Sequence, residues 1–257
     1  MNRNLSFSQR LHNAMGVQAI EQDKAIHAYT HAIMYSREEW DRIWYKDEKN
    51  ATWAHGFGRM VGWNEVYYNS VTKTDYGITR MNLESAVAFP KAMGSDVRSF
   101  GKSALHALSI GVIEIADDGK SGRAFYLTPG TMIETVGGGD VRRGGWLWER
   151  YGSDFVYKDG RWLYLHEHVC PDFGGSYDDS NWGQDMMKKE LAAGDVGGPQ
   201  MNGPQGGAEV MPLKLTEPGK LHYDASMTQV RQNTCPPPKP YKTLDDENSY
   251  SPGYNDV

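Results

Sequence analysis

Three side chains that can move or bind protons stand close together in the stretch HAYTHAIMY: His27, Tyr29 and His31. An imidazole can act as a general acid, a general base or a metal ligand, and a phenol can donate a proton to a leaving oxygen. Residues 17 to 35 around them have helical spacing. The helix must therefore decide which of the three side chains faces the interior.

A helical wheel places Tyr29 on the apolar side of this helix. Ile26, Tyr29 and Ile33 fall within about 60 degrees of one another at 100 degrees per residue, and alanines flank them. Tyr29 therefore shares the apolar face, and we expect it to point inward.

The two histidines fall on nearly the opposite side of the wheel, together with Ile20 and Lys24. A histidine pair four residues apart can bind a metal ion, but the sequence nearby offers no carboxylate or third ligand to complete such a site. We expect His27 and His31 to form a stripe that faces solvent or another subunit. No metal site is predicted.

His106 is the next residue that could do chemistry. In the strand-like stretch SALHALSIGVIEIA, alternation places it on one face with Leu108, Ile110 and Val112. An imidazole in apolar company is either a core residue with satisfied hydrogen bonds or a proton carrier with a tuned pKa. Spacing alone leaves both interpretations open.

The stretch RWLYLHEHV brings two more histidines onto a strand. Periodicity does not say which face of this strand lines a cavity, and it leaves His55, in the earlier strand ATWAHGFG, equally undecided. One face of the strand is predicted to carry Trp162, Tyr164, His166 and His168, and the other Leu163, Leu165, Glu167 and Val169.

Composition limits the classes of partner. The net charge is -6 with no lysine or arginine run longer than a pair, which argues against nucleic acid. Aromatic residues make up 12% of the chain, with 8 Trp and 15 Tyr. That content suits a pocket for a flat, partly polar ligand, and it equally suits an ordinary aromatic core.

No apolar run approaches the roughly 18 residues of a membrane span, and the N-terminal residues are polar. We expect no membrane association and a cytoplasmic location. The only cysteines, Cys170 and Cys235, lack the spacing of a metal motif. Neither a disulfide framework nor a thiolate metal site is expected from them.

The order of patterns along the chain predicts leading helices, a short strand at 51 to 58 and a short helix at 62 to 71. Residues 72 to 102 have no sustained period and are interpreted as an insertion. Long antiparallel strands follow, joined by turns such as DDGKSG and KDG. Residues 172 to 257 are rich in Gly, Pro, Asn and Asp and are predicted to form an extended arm.

This order, closing with RYGSDFVYKDGRWLYLHEHV, resembles the SnoaL-like branch of the nuclear-transport-factor-two-like superfamily over about residues 15 to 172. The resemblance implies an α+β cone, in which a curved antiparallel sheet is wrapped by N-terminal helices. The predicted domain organisation is a cone at 1–171 with an insertion at about 72–102, followed by the arm at 172–257. Members of the superfamily commonly form homodimers or homotrimers, which we expect here.

Cofactor-free dehydratases of this superfamily pair a helix tyrosine with a strand histidine, and the matching positions are Tyr29 and His106. The chain departs from them where they carry an Asp, here Met34-Tyr35, and where some carry an Arg, here near Pro171. The acid-base set must therefore differ. Candidate replacements are Lys46, Asp47, His55, Arg80, and His166 or His168.

The insertion, the arm and the aromatic content are similar to those of sphingomonad lyases that convert lignin-derived diarylpropane diols to stilbenes with release of formaldehyde. The resemblance implies a lyase without a cofactor acting on a small phenolic substrate; a dehydratase and a non-catalytic binding subunit are the alternatives. The predicted catalytic residues are Tyr29, His106, Lys46, His55 and Arg80. The predicted substrate-binding residues are Asp47, Trp53, Tyr68, Phe125, His166 and His168.

Overall fold

A mostly antiparallel sheet covered by N-terminal helices confirms the predicted α+β class. The computed structural model describes residues 5–32, 36–55, 58–72, 102–136, 141–177, 216–218 and 235–251. The helices of this described part are α1 (Phe7–Ala32), α2 (Ser36–Ile43) and α3 (Trp63–Tyr67), the last followed by a π-helical turn at Tyr68–Thr72. Its strands are β1 (Thr52–His55), β2 (Gly58–Val61), β3 (Lys102–His106), β4 (Val112–Ile115), β5 (Ser121–Val136), β6 (Val141–Lys158), β7 (Arg161–Ser176) and β8 (Glu217–Pro218).

Helix α1 begins at a capping box. The Gln9 backbone N–H lies 3.3 Å from Ser6 Oγ, and the Ser6 N–H donates to Gln9 Oε1 at 2.9 Å. These contacts satisfy N–H groups that the first turn cannot pair internally. The helix is longer at its start than the spacing predicts and buries one stripe of residues three or four apart: Asn13, Gly16, Ile20, Lys24, His27 and Thr30.

The strands pair in the order β3-β5-β6-β7-β1-β2-β8, and β4 also pairs with β5. The long strands β5, β6 and β7 are antiparallel neighbours, whereas β1 joins β7 in parallel. The face of the sheet toward α1 and α2 is called the inner face below, and the opposite face the outer face. Successive residues of each strand point alternately to the two faces.

The stretch SALHALSIGVIEIA is two strands and not the single strand predicted. His106 pairs with Gly130 at the end of β3, and Val112 pairs with Phe125 at the start of β4, so both strands use the same edge of β5. Ile110, between them, is 95% exposed. His106 therefore does not share a continuous strand face with Ile110 and Val112.

The predicted faces of the last strand are wrong, because a β-bulge at Leu165 interrupts the alternation. Phe155 pairs with Tyr164 but Asp154 pairs with His166, so Leu165 has no opposite residue. The extra residue reverses the alternation beyond it. Tyr164 consequently lies on the inner face, whereas His166 falls on the outer face.

The inner face and the helices enclose an aromatic core. Trp40 of α2 and Trp44, which follows the end of α2, stack with ring centroids 3.8 Å apart, and Trp44 stacks on Tyr164 at 5.2 Å. Gly16 lets α1 lie close to β7, because a Cβ there would stand 2.8 Å from a ring carbon of Trp162. Close contact between α1 and the sheet brings the polar side chains of α1 against the strands.

Residues 235–251, from the predicted arm, pack on the outer face. Asp154 Oδ2 accepts hydrogen bonds from Ser249 Oγ and the Tyr250 backbone N–H, both at 2.7 Å, and lies 2.9 Å from His166 Nδ1. Gly152 leaves room for the Tyr250 ring, which a Cβ at position 152 would approach to 2.5 Å. The arm is thus partly an ordered cover of the sheet.

Cys170 of β7 and Cys235 of this segment form a disulfide bond. The spacing of the cysteines supports no disulfide, so this bond corrects that expectation. Sequence spacing could not show the contact, because 65 residues separate them. The fold brings them together only by laying residues 235–251 over β7.

Other predictions fall on different parts of the chain. The predicted strand at 51 to 58 is divided between β1 and the start of β2, which pair antiparallel. Most of the predicted insertion at 72 to 102 lies outside the described residues. No helix within the described residues is long and apolar enough to cross a membrane.

Candidate active site

Helix α1 turns its histidines toward the sheet and Tyr29 toward solvent. His27 is 7% exposed, whereas Tyr29 is 66% exposed. The prediction that Tyr29 points inward and the two histidines outward is therefore wrong. The wheel grouped the residues correctly, but the stripe that faces the sheet is polar because partners far away in sequence pair with its side chains.

His27 is held by a buried carboxylate from α2. Its Nδ1 lies 2.7 Å from Glu39 Oε1, and the Thr30 hydroxyl lies 3.2 Å from Glu39 Oε2. Burial raises the pKa of Glu39, but the contacts with His27 lower it by more, so that its pKa lies below the usual value. Glu39 is therefore a carboxylate that stabilises positive charge on the His27 ring.

His106 is held in the same way by two residues of β6. Its Nδ1 lies 2.5 Å from the Tyr151 hydroxyl oxygen and 3.3 Å from Glu149 Oε2. The Tyr151 hydroxyl donates to Glu149 Oε2 at 3.0 Å. Glu149 and Tyr151 are two residues apart on one strand, so they point to the same face, which is the inner one.

These contacts fix the tautomer of a neutral His106. Tyr151 has one hydroxyl proton, which it gives to Glu149, so its oxygen must accept the proton on His106 Nδ1. The proton is then on Nδ1, and Nε2 carries a lone pair. A carboxylate behind the ring would also stabilise the imidazolium formed when Nε2 accepts a proton.

The pKa shifts agree with this assignment. Burial raises the pKa of Glu149, but hydrogen bonding and charge from His55, with His106, lower it to about 2. Burial, aided by the charge of Glu149, raises the pKa of Tyr151 well above its usual value, so Tyr151 remains a proton donor. Burial lowers the pKa of His106 despite the opposing charge of Glu149, which keeps the ring neutral at neutral pH.

His31 lies between the two held histidines. Its ring stacks on that of His27 with centroids 5.6 Å apart and meets the ring of His106 edge-on at 5.0 Å. Burial and the neighbouring histidines lower the pKa of His31 to about 3, so it is neutral. His27, His31 and His106 are called the histidine cluster below.

Several buried polar atoms of the inner face have no hydrogen-bond partner among the described residues. Among them are Nε2 of His27, Nε2 of His106 and the hydroxyl oxygens of Tyr126 and Tyr164. Buried polar groups in proteins are nearly always paired with protein, water or ligand. These atoms make the inner face beside the histidine cluster a candidate site for a polar molecule.

A buried ion pair borders this region. Lys24 Nζ lies 3.0 Å from Glu167 Oε1 and 3.1 Å from Ser153 Oγ. It also lies 4.8 Å from the ring centroid of Tyr151 and 5.4 Å from that of Tyr164. The pair places two opposite charges next to aromatic surface without adding net charge to the site.

The structure brings some of the predicted site residues together with the histidine cluster. His106 is part of the cluster, and His55 Nε2 lies 3.5 Å from the second oxygen of Glu149. Trp53 stacks beside His55 with ring centroids 5.9 Å apart and packs against the inner core. Tyr68 lies half-buried in the π-helical turn, and its place in the substrate site stays a prediction.

Other predicted site residues lie elsewhere. Lys46 and Asp47 lie in the turn before β1, and the contacts of the described residues include none from either side chain to the cluster. Both side chains are exposed, and their assignment to the site stays a prediction. Arg80 lies outside the described residues.

Three of the predicted substrate-binding residues lie on the outer face of the sheet, opposite the histidine cluster. Phe125 pairs with Gly152, and a Cβ at position 152 would point at the ring of Tyr250 on the outer face. Directly paired residues point to the same face, so Phe125 also points to the outer face. The bulge at Leu165 sends His166 and His168 to the same face. None of the three can reach the cluster from there.

Sequence reasoning missed Lys24, Glu39, Glu149 and Tyr151 as site residues. One signal was present: Ile20, Lys24, His27 and His31 recur at helical spacing, as an inward stripe must. Glu39, Glu149 and Tyr151 gave no comparable signal, because acids and tyrosines are common on solvated surfaces. Only pairing in three dimensions distinguishes them.

Gly130 is predicted to be essential for the position of His106. A Cβ at this position would stand 2.7 Å from the Leu105 carbonyl oxygen and 2.9 Å from His106 Cδ2. Gly130→Ala should therefore cost about 1–3 kcal/mol of unfolding free energy and shift the His106 ring. Urea unfolding measures the first effect, and loss of turnover in protein that remains folded measures the second.

Gly160→Ala serves as a control of a different kind. Gly160 lies in the β6–β7 turn with a φ of +80 degrees, and no atom lies within 4 Å of the place that a Cβ would take. The substitution should cost stability through backbone strain alone. Turnover should remain at the wild-type level. If Gly130→Ala also leaves turnover unchanged, close packing against Gly130 does not position His106.

Comparisons with known proteins give similar folds at low identity. No family model matches the chain, and no curated protein matches it. A candidate scytalone dehydratase from Novosphingobium aromaticivorans is 14% identical, with a TM-score of 0.46 over 68% of this chain and 93% of that one. The LinA-type3 hexachlorocyclohexane dehydrochlorinase of Novosphingobium barchaimii is 14% identical, with a TM-score of 0.41 over 67% of this chain and 95% of that one.

A candidate dehydratase of the NTF2-like family from Streptomyces avermitilis is 10% identical, with a TM-score of 0.42 over 60% of this chain and 95% of that one. All three structures are covered almost over their whole length, whereas about a third or more of this chain lies outside each comparison. The chemistry of this chain has to be argued from its own side chains.

Proposed function

We propose that this chain is a SnoaL-like lyase that acts on a phenolic aromatic substrate without a cofactor. The observation that carries the proposal is the pair of buried Nε2 atoms, on His27 and His106, without partners among the described residues. Each ring has a carboxylate on its Nδ1 side. Two histidines held in this way can supply the acid and the base that an elimination requires.

The first half of the reaction removes water. His106 Nε2 takes the proton of the substrate phenol, and the imidazolium form of His27, held by Glu39, gives its Nε2 proton to the departing benzylic hydroxyl. The carbon-oxygen bond breaks and a quinone methide forms. Glu149, through Tyr151, stabilises the imidazolium that His106 becomes.

The second half releases formaldehyde. His27, now neutral, takes the proton of the terminal hydroxyl, and the carbon-carbon bond to that carbon breaks. Its electron pair forms the stilbene double bond and restores the aromatic ring, whose oxygen takes the proton back from His106. The diol has become a stilbene, water and formaldehyde, and both histidines have regained their starting charge without an external oxidant or reductant.

The aromatic surroundings support a flat, polar-edged substrate. The rings of Tyr126, Tyr151 and Tyr164 surround Lys24 on the inner face, and two of their hydroxyl groups have no partner among the described residues. Such rings offer apolar faces to an aryl group and hydroxyls to its polar substituents. We propose a lignin-derived diarylpropane diol as the substrate, with a cytoplasmic homodimer or homotrimer as the working form.

The test is to mix chelator-treated protein with a diarylpropane diol and to measure stilbene absorbance and formaldehyde in the same sample. The proposal expects the two products in equal amounts. Water loss without formaldehyde would identify a dehydratase, which needs only the first half of the scheme. A diol that binds and is released unchanged would contradict catalysis and favour a binding subunit.

The pH dependence of kcat/KM should follow His106. Its proton-accepting form is the neutral ring, and burial lowers its pKa below the ordinary 6.5. Activity should therefore persist at pH 6.5 and decline only as the pH falls further, because protonation then blocks Nε2. If activity begins to decline well above pH 6.5 as the pH is lowered, another group is the base.

A further inference from the structure

We propose that His168, Cys170 and Cys235 form a binding site for a thiophilic divalent cation, such as Zn²⁺, when the two cysteines are reduced. The Nδ1 or Nε2 of His168 and the two sulfurs lie within 4.8 Å of one another. All three residues are buried, with exposed fractions of 1% to 3%. The site is on the outer face and shares no residue with the histidine cluster.

The backbone explains why the three ligands converge. His168 and Cys170 are two residues apart on β7, so both side chains point to the outer face. Cys235 comes from the segment that covers this face, and the Asp154 hydrogen bonds to Ser249 and Tyr250 hold that segment independently. The ligands would therefore remain close together after the disulfide is reduced.

The donor set selects the class of cation. Two thiolates and an imidazole favour Zn²⁺ and similar ions over Mg²⁺ or Ca²⁺, which prefer oxygen ligands. Ligand atoms in a tetrahedral zinc site stand about 3.6–3.8 Å apart. The His168 nitrogen and the two sulfurs lie within 4.8 Å of one another, and reduction frees the bonded sulfurs to separate to that distance. Water would supply the fourth ligand.

The disulfide and the cation site exclude each other. Reduction by a phosphine and water breaks the sulfur-sulfur bond, gives two thiols and converts the phosphine to its oxide. Binding of Zn²⁺ then releases the thiol protons. In an oxidising compartment the disulfide would fix residues 235–251 to β7, and in a reducing compartment the cation would do so.

The test uses the full chain, purified under phosphine without oxygen and titrated with Zn²⁺ against a chromogenic chelator. Reduced protein should bind a single Zn²⁺ per chain, and air-oxidised protein should not bind it at this site. His168→Gln keeps both cysteines and should weaken binding at least about tenfold, as should Cys235→Ser. His12→Gln, on the opposite side of the sheet, should bind like the wild type.

Each result bears on the proposal. Equal affinity in His168→Gln and wild type would overturn it, because two thiols alone would then account for binding. A disulfide that survives in protein prepared under phosphine, shown by mass and thiol titration, would also overturn it. Near-UV circular dichroism identifies variants that fail to fold. If Cys235→Ser fails to fold, the affinity of His168→Gln for Zn²⁺ alone tests the proposal.

Discussion

Replacing His106 with glutamine is expected to lower turnover of the diol by about 10² to 10⁴, the usual contribution of a general acid or base. The lone pair on Nε2 is lost, whereas the glutamine amide can still hydrogen-bond to Tyr151. Stability should change much less than turnover, because the side chain keeps a polar partner and a similar volume. Stopped-flow absorbance of the stilbene, together with urea unfolding, measures both quantities.

Tyr29→Phe is the matched control for this experiment. Tyr29 is on the same helix as His27 but points to solvent, so its hydroxyl should contribute nothing to turnover. Wild-type activity in Tyr29→Phe and a large loss in folded His106→Gln would support the site described above. Normal turnover in folded His106→Gln would eliminate His106 as the proton carrier.

Glu167→Gln is expected to destabilise the protein by about 3–5 kcal/mol, the usual cost of removing one partner of a buried ion pair. The Lys24 side chain is fully buried, and Glu167 neutralises it at 3.0 Å. The amide would leave the ammonium group in the interior without a counter-charge. Urea unfolding at neutral pH measures the loss.

The double variant Lys24→Met/Glu167→Gln tests the reason for that loss. Methionine fills the space of the lysine chain without its charge, so the double variant should recover much of the lost stability. Lys158→Met, at an exposed position in β6, should stay within about 0.5 kcal/mol of wild type. A double variant as unstable as Glu167→Gln would mean that packing, and not charge, explains the cost.

The sequence predicted the fold class because its strongest patterns are local. The alternation and turn residues of β5, β6 and β7 and the helical spacing of α1 required no knowledge of distant contacts. The bulge at Leu165 and the break after His106 were not predictable in this way. Each depends on how a strand aligns with its neighbour, which no single stretch encodes.

The side of α1 that faces the sheet shows why the site was harder to predict. Hydrophobicity favoured Tyr29, but the inner stripe is stabilised by contacts between Lys24 and Glu167 and between His27 and Glu39. Both contacts place charged or ionisable groups in the interior. A helical wheel based on hydrophobicity assigns this polar stripe to solvent. It does not show that Glu167 and Glu39, which pair with Lys24 and His27, lie 143 and 12 residues away in the sequence.

The family resemblance predicted His106 as a site residue. No pattern in the sequence predicted its partners. Glu149 and Tyr151 reach it across β5, from 43 and 45 residues further along the chain. Their role follows from one geometric fact: a single tyrosine proton cannot serve both Glu149 and His106. The assignment of Nε2 as the proton acceptor is therefore a consequence of tertiary structure.

The tautomer of His106 is the most direct test of this account. Nitrogen-15 NMR of histidine-labelled protein at pH 7, with the His106 signals identified by their absence in His106→Gln, distinguishes a protonated from an unprotonated ring nitrogen. We predict a neutral ring with its proton on Nδ1 and a lone pair on Nε2. A proton on Nε2, in either the other neutral tautomer or the imidazolium, would contradict the assignment of this atom as the base.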